Sequence, residues 1–154
     1  MVSYEKIRQS LRSFTVLLQV IYFLTAIFGV LSVIGVFLLK ANINSEAYTS
    51  QYSSQQLEIL RQSITPFAIF LLCVSLAASI LIIVFNFINL SKIKKKDEIS
   101  YLPFYLGAVL ALINIVSNLL TAKAQAIGLL IQIAILAINF YAFTRAKMLN
   151  EHDD

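Results

Sequence analysis

Four long apolar stretches, separated by polar segments, dominate the pattern of this chain. They cover residues 14–39, 66–90, 101–120 and 126–144, and none of them contains Asp, Glu, Lys, Arg or His. A helix needs about 20 apolar residues to cross the hydrocarbon core of a bilayer. The pattern therefore predicts an all-α integral membrane protein with four transmembrane helices.

The polar segments set the expected arrangement of these spans. Only residues 121–125 join spans three and four, so we expect a short external turn and an antiparallel hairpin. If each span runs in the opposite direction to the one before it, the four spans form an antiparallel four-helix bundle. The other segments are an N-terminal stretch 1–13, a loop 40–65, a loop 91–100 and a tail 145–154.

The N-terminal stretch 1–13 has the pattern of an interfacial helix. Tyr4, Ile7 and Leu11 fall on one helical face, and three basic residues lie among them. Apolar side chains on one face with basic residues nearby are typical of a helix lying at the membrane surface. We expect this stretch to lead into span one along the interface.

The loop 40–65 is predicted to contain a short external amphipathic helix between spans one and two. Leu57, Leu60 and Ile64 follow the i, i+3, i+7 spacing of one helical face. Ser54 is the expected N-cap. Two interpretations remain for the apolar face: a cover for the bundle or a contact with a partner.

Local signals mark helix ends and helix contacts. Thr65 followed by Pro66 is typical of an N-cap and a first helical residue. Four tyrosines lie in the spans, mostly toward their ends, and are expected to act as interfacial anchors: Tyr22, Tyr101, Tyr105 and Tyr141. Three pairs of small residues, each four positions apart, permit a neighbouring helix to approach closely: Thr25 with Gly29, Ser75 with Ser79, and Gly107 with Ala111.

Composition supports the membrane assignment and narrows the chemistry. Of the 154 residues, 59% are apolar and 13% are charged, about half the charged share of soluble domains. This balance argues against a soluble enzyme and a nucleic-acid-binding module. The single cysteine, Cys73, excludes an intrachain disulfide and is expected to be a small buried hydrophobe.

The basic residues predict which side each loop faces. Of the 12 Lys and Arg, nine lie in the N-terminus, the 91–100 loop and the C-terminus: Lys6, Arg8, Arg12, Lys92, Lys94, Lys95, Lys96, Arg145 and Lys147. The positive-inside rule then places both termini in the cytoplasm. The four lysines at 92–96 are expected to anchor the protein at the anionic inner leaflet, with docking of a partner or nucleic acid as the other interpretation.

Every polar side chain inside the four stretches is neutral, and six amides are the candidate site residues. Asn114 and Gln132 lie at equal depth near the outer face, and Gln19, Asn86 and Asn139 lie at similar depth near the inner face. Two interpretations apply to the set: interhelical hydrogen bonds that fix register, or a polar path for a solute or an ion. The set is Gln19, Asn86, Asn114, Asn118, Gln132 and Asn139.

The sequence offers no candidates for catalytic, cofactor-binding or metal-binding residues. The only histidine is His152 in the tail, and all eight acidic residues lie outside the spans. Small four-span multidrug transporters are similar in length and helix count but carry an acidic residue in the first span, where this chain has none. The chain therefore does not fit that transporter family. Because it offers no candidate catalytic residues, we expect a non-enzymatic protein.

Two functional classes fit these observations. One is an accessory, assembly or immunity-type subunit that packs against a larger membrane partner. The other is a small homo-oligomeric channel with an amide-lined path. A composition rich in Ile, Phe and Lys, with no Asn-x-Ser/Thr site in the 40–65 loop, favours the bacterial cytoplasmic membrane.

Overall fold

The computed structural model describes residues 3–120 and 125–153, and this part of the chain forms helices and no strands. The predicted all-α class is confirmed. Residues 121–124 of the predicted 121–125 turn lie outside the described residues. The helices are α1 (Tyr4–Asn42), α2 (Glu46–Gln51), α3 (Ser54–Ser63), α4 (Pro66–Lys95), α5 (Leu102–Leu120) and α6 (Ala126–Asp153).

Helices α1, α4, α5 and α6 are long and apolar enough to cross a membrane. Each corresponds to one of the four predicted spans. Helix α1 has 39 residues and, at about 1.5 Å per residue, runs for roughly 58 Å, well beyond a hydrocarbon core of about 30 Å. Helices suit this environment because they close every backbone hydrogen bond within the segment. The four helices indicate an integral membrane protein.

Side-chain caps mark the starts of α3 and α4. Ser53 Oγ accepts a hydrogen bond from the Gln56 N–H at 3.3 Å, and the Gln56 side chain accepts one from the Ser53 N–H at 2.9 Å. This capping box moves the cap one residue ahead of the predicted Ser54, because Gln56 is the third residue after Ser53. Thr65 caps α4 as predicted, accepting from the Ala68 N–H at 3.3 Å.

Helix α4 ends in a Schellman turn. The Asp97 N–H donates to the Lys92 carbonyl at 3.0 Å. Lys96 has a φ of 63°, the left-handed conformation that this turn requires and that glycine adopts most readily. A lysine there carries a backbone penalty of about 1 kcal/mol.

The chain forms two compact units. The first unit consists of Met1–Phe23 with Ala78–Asp154, and the second of Leu24–Ala77. In the first unit, α5 and α6 pack against each other, and residues from all four long helices share one core. That core comprises Ile7, Leu11, Leu18, Tyr22, Ile82, Ile93, Ile99, Phe104, Ala142, Ala146 and Leu149.

The buried positions of the first unit recur every three or four residues. This spacing keeps one face of a helix turned toward the core, as in other helix bundles. On α1 the buried residues are Ile7, Leu11, Thr15, Leu18 and Tyr22. On α4 they are Ser79, Ile82, Asn86, Asn89 and Ile93.

The N-terminal residues contribute to this core, and the interfacial position expected for the stretch 1–13 stays a prediction. Ile7 and Leu11 are 2% and 0% exposed, and they share their cluster with Ile93 and Leu149. The reason is that α4 and α6 also continue past their apolar stretches. Their extensions offer a protein surface to the apolar face of α1.

The second unit contains the end of α1, helices α2 and α3, and the first part of α4. Here α1 and α4 approach closely at Gly29, where a Cβ atom would lie 3.0 Å from Leu76 Cδ1. Arg61 Nη2 donates to Asn44 Oδ1 at 3.4 Å, linking α3 to the turn after α1.

Large apolar side chains cover much of the surface of the long helices. Phe28 on α1 and Phe67 on α4 are 64% and 69% exposed. Cys73 on α4 is exposed as well, so its predicted burial in the protein is wrong. An apolar sequence does not reveal which side faces protein, because lipid tails are as apolar as a protein core.

The Schellman turn gives a prediction about stability. Lys96→Gly should raise the free energy of unfolding by about 1 kcal/mol, since glycine adopts positive φ without the Cβ clash. Unfolding in mixed micelles by SDS titration, followed by circular dichroism, measures this change. Lys95→Gly is the matched control, because it removes the same charge from a helical residue and should lower stability. Equal effects of both substitutions would contradict the prediction.

Candidate functional site

The predicted inner amide layer lies inside the first unit. Asn139 is 1% exposed and Asn86 is 0% exposed, and Gln19 is half-buried. Asn139 Nδ2 donates to the Tyr22 hydroxyl at 3.1 Å and to the Ile135 carbonyl at 2.9 Å. The first of these bonds connects α6 to α1.

The position of Tyr22 differs clearly from the sequence-based prediction of an interfacial anchor. Its side chain is 4% exposed and pairs with Asn139. A buried tyrosine needs a partner for its hydroxyl, and the amide supplies one. Because tyrosine is also common at membrane interfaces, the sequence did not reveal that Tyr22 pairs with a buried amide.

Gly107 provides the space for the pair formed by Tyr22 and Asn139. A Cβ atom at Gly107 would collide with the Tyr22 hydroxyl and the Asn139 amide. Gly107 and Ala111 are both buried on α5, where the small-residue spacing predicted close helix approach. The glycine therefore lets three helices meet around one hydrogen bond.

Gln19 and Asn86 have no such partners. Both polar atoms of each amide are buried, and none makes a hydrogen bond with residues 3–120 or 125–153. Leaving a buried polar group unpaired costs about 1–3 kcal/mol. These two side chains are therefore the most polar and least satisfied part of the inner layer.

The predicted outer amides have a more open environment. Asn114 Nδ2 lies 3.5 Å from Gln132 Oε1, so α5 and α6 bring this pair together at the limit of a hydrogen bond. Asn114 is exposed, and Asn118 and Gln132 are half-buried. This arrangement links the two helices but gives the outer amides much less burial than Asn86 and Asn139.

Two further asparagines hold the segment that follows α4. Asn89 exchanges two hydrogen bonds with the Ser100 backbone, at 3.0 Å and 2.8 Å. Asn150 exchanges two with the Ile99 backbone, both at 2.9 Å. Sequence spacing does not reveal this clamp, because both pairs join a helix to a loop, and Asn150 reaches Ile99 only when α6 continues past its apolar stretch.

The four lysines predicted as a membrane anchor lie at the end of α4 and in the turn after it. Lys92 is half-buried, and Lys94, Lys95 and Lys96 are exposed. The asparagine clamp fixes the backbone just beyond them. Their charges therefore sit on a well-held part of the protein.

An apolar groove of about 560 Å³ runs along α5 and α6. Its exposed side chains include Tyr105 and Phe140, at 54% and 66%. Phe143 packs against Tyr105 with ring centroids 5.1 Å apart. The groove is lined by Phe104, Tyr105, Ala108, Ile133, Leu136, Ala137, Asn139, Phe140 and Phe143.

The apolar face predicted for α3 turns toward the protein. Leu57 is buried, and Leu60 and Ile64 are half-buried. Ile59, on another side of the helix, is 61% exposed. This burial favours the interpretation of α3 as a cover, and contact of its apolar face with a partner stays a prediction.

The described residues also bear on metal binding and on relatedness to known proteins. Within residues 3–120 and 125–153, no three His, Cys, Asp or Glu side chains come together as a metal site.

No protein-family model, curated protein or solved structure matches the chain. A functional assignment therefore rests on the residues themselves.

The crowding at Gly107 gives a second prediction. Gly107→Ala should lower the free energy of unfolding by about 1–3 kcal/mol, the usual cost of overpacking a core, because Tyr22 and Asn139 must separate. SDS titration followed by circular dichroism measures the loss. Gly35→Ala is the control, since a Cβ there meets nothing within 4 Å; comparable losses in both variants would argue against the proposed crowding.

The asparagine clamp gives a third prediction. Asn89→Ala leaves the Ser100 backbone groups unpaired and should destabilise that segment by about 1–3 kcal/mol. Hydrogen exchange of the 96–101 peptide should accelerate accordingly. Asn42→Ala is the control, because the Asn42 side chain donates to the Leu38 carbonyl of its own helix, at 2.8 Å, and lies outside the 96–101 segment. Unchanged protection of the peptide in Asn89→Ala would show that the clamp is not needed.

Proposed function

We propose that this protein is a non-enzymatic accessory, assembly or immunity-type subunit that packs against a larger membrane protein. In this proposal the four long helices form an antiparallel bundle. The loops rich in Lys and Arg, with both termini, face the cytoplasm of a bacterial cell.

The position of the inner amides carries the proposal. Asn86 and Asn139 lie inside the helix contacts of the first unit, at 0% and 1% exposure. A channel would need these amides along a shared wet axis, whereas a helix-packing protein needs them inside helix contacts, where an amide such as Asn139 can set register between helices. The bond from Asn139 to Tyr22 beside Gly107 fits the second requirement.

The groove on α5 and α6 supplies a surface for the partner. It lies within the apolar parts of both helices, so its occupant must be apolar too. Aromatic side chains such as Tyr105, Phe140 and Phe143 offer large contact areas with little conformational freedom to lose. A transmembrane helix of the partner fits this shape and chemistry.

The alternative function is a small homo-oligomeric channel. Gln19 and Asn86 favour it, since all four of their buried amide atoms lack a hydrogen-bond partner in the part of the chain that the structure describes. Polar groups in that state within a membrane helix are typical of paths for water, ions or polar solutes. In this alternative, several copies would assemble around the amides.

The accessory role can be tested through the groove. Tagged protein purified in mild detergent from its native membrane should carry a larger membrane protein in fixed stoichiometry. Phe140→Ala should weaken this association about tenfold, or about 1.4 kcal/mol. Phe87→Ala is the matched control, because Phe87 is 61% exposed, lies outside the groove and should leave the association unchanged.

Three results would contradict the accessory role. The first is a pure homo-oligomer with no larger partner, and the second is an equal loss of association in the two phenylalanine variants. The third is solute flux through proteoliposomes of the purified protein that disappears in Asn114→Leu with Gln132→Leu while expression stays normal. The third result would support the channel.

A further inference from the structure

A basic cleft opens where α1 begins and α4 ends, within the first unit. It has a volume of about 260 Å³ and is lined by four basic side chains and one acidic one, Arg8, Arg12, Lys94, Lys96 and Glu5. Its formal charge is therefore +3. The four basic residues are separated by up to 88 positions in the sequence, and only the fold brings them together.

The walls of the cleft are held in place by the surrounding structure. Arg8 and Arg12 are one turn apart on α1 and share a face. On the other side, Ile93 is 2% exposed and Ile99 is 4% exposed, so both ends of the lysine-bearing segment are buried. The Schellman turn fixes the backbone at Lys96 between them. The basic groups thus stand on rigid supports before any ligand arrives.

The cleft lies at the depth of lipid headgroups. Arg12 precedes the apolar stretch 14–39 by two residues, and Lys94 follows the stretch 66–90 by four. At about 1.5 Å per residue, these residues stand roughly 3–6 Å beyond the ends of the two apolar stretches. The headgroup layer on each side is about 5–8 Å thick.

The chemistry of the lining fits a phosphate group. Guanidinium groups bind phosphate oxygens in pairs, and lysine ammonium groups add point charges. Four basic side chains and one carboxylate give a net charge of +3, which is sufficient to balance an anion with a charge of about −2. The volume is below the roughly 300–1,000 Å³ of most small-molecule pockets, which suits a compact headgroup.

We propose that this cleft is a specific site for an anionic lipid, which it holds by the phosphate of its headgroup. The site is distinct from a diffuse lysine anchor, because Arg8 and Arg12 take part and Lys92 and Lys95 do not line the cleft. The inference does not depend on the accessory role.

Native mass spectrometry of the full chain in detergent micelles tests the site, with phosphatidic acid as the probe. The wild type should bind one phosphatidic acid in preference to phosphatidylcholine. Lys94→Gln with Lys96→Gln should weaken binding at least about tenfold, because two charge-assisted contacts are lost. Lys92→Gln with Lys95→Gln removes the same charge outside the cleft and should change binding by less than about twofold.

A second variant distinguishes a loss of lipid binding from a folding defect. Arg8→Gln with Arg12→Gln alters the opposite wall and should reproduce the loss, while circular dichroism confirms the helix content of every variant. Equal losses in the two lysine variants would overturn the proposal in favour of diffuse attraction. Equal binding of phosphatidylcholine would overturn it as well.

The source of the phosphate is tested by competition. Glycerol 3-phosphate at millimolar concentration should fail to displace phosphatidic acid, because the lipid is also held by its acyl chains in the micelle. Displacement by this soluble phosphate would overturn the lipid assignment and identify the cleft as a site for a soluble phosphomonoester.

Discussion

A polar group buried in an apolar surrounding is costly unless it finds a hydrogen-bond partner, and most of the helix contacts described above depend on this constraint. The backbone meets it by forming helices, which close their own hydrogen bonds along each apolar stretch. Side chains meet it where helices touch. The bond from Asn139 to the Tyr22 hydroxyl, at 3.1 Å, joins two distant helices, and Gly107 on a third helix leaves the space that this bond needs.

The same need for hydrogen-bond partners applies outside the apolar stretches, where side chains bond to the backbone of a loop. There the chain leaves the helix after Lys95, and its backbone groups at Ile99 and Ser100 would lack partners. The side chains of Asn150 and Asn89 supply them through two hydrogen bonds each. The clamped segment directly follows Lys94 and Lys96, which line one side of the basic cleft opposite Arg8 and Arg12.

The groove and the cleft divide the protein into two chemically different surfaces. The groove on α5 and α6 is apolar and aromatic, which supports the proposed contact with a partner helix. The cleft between the start of α1 and the end of α4 is basic, which supports the proposed lipid site. Gln19 and Asn86 belong to neither surface, and their unpaired amides are what keeps the channel as an alternative.

The sequence alone determined the four apolar helices, the cap at Thr65, the close approach at Gly107 and the concentration of basic residues in three segments. Each follows from local composition or from spacing along one helix. Tertiary structure decided which apolar residues face protein: Tyr22 is buried and Cys73 is exposed, although both lie in apolar stretches. It also placed Arg8 beside Lys94 and Asn150 beside Ile99. Spacing along one helix says nothing about which other helix packs against it, so contacts between distant segments appear only once the helices have packed.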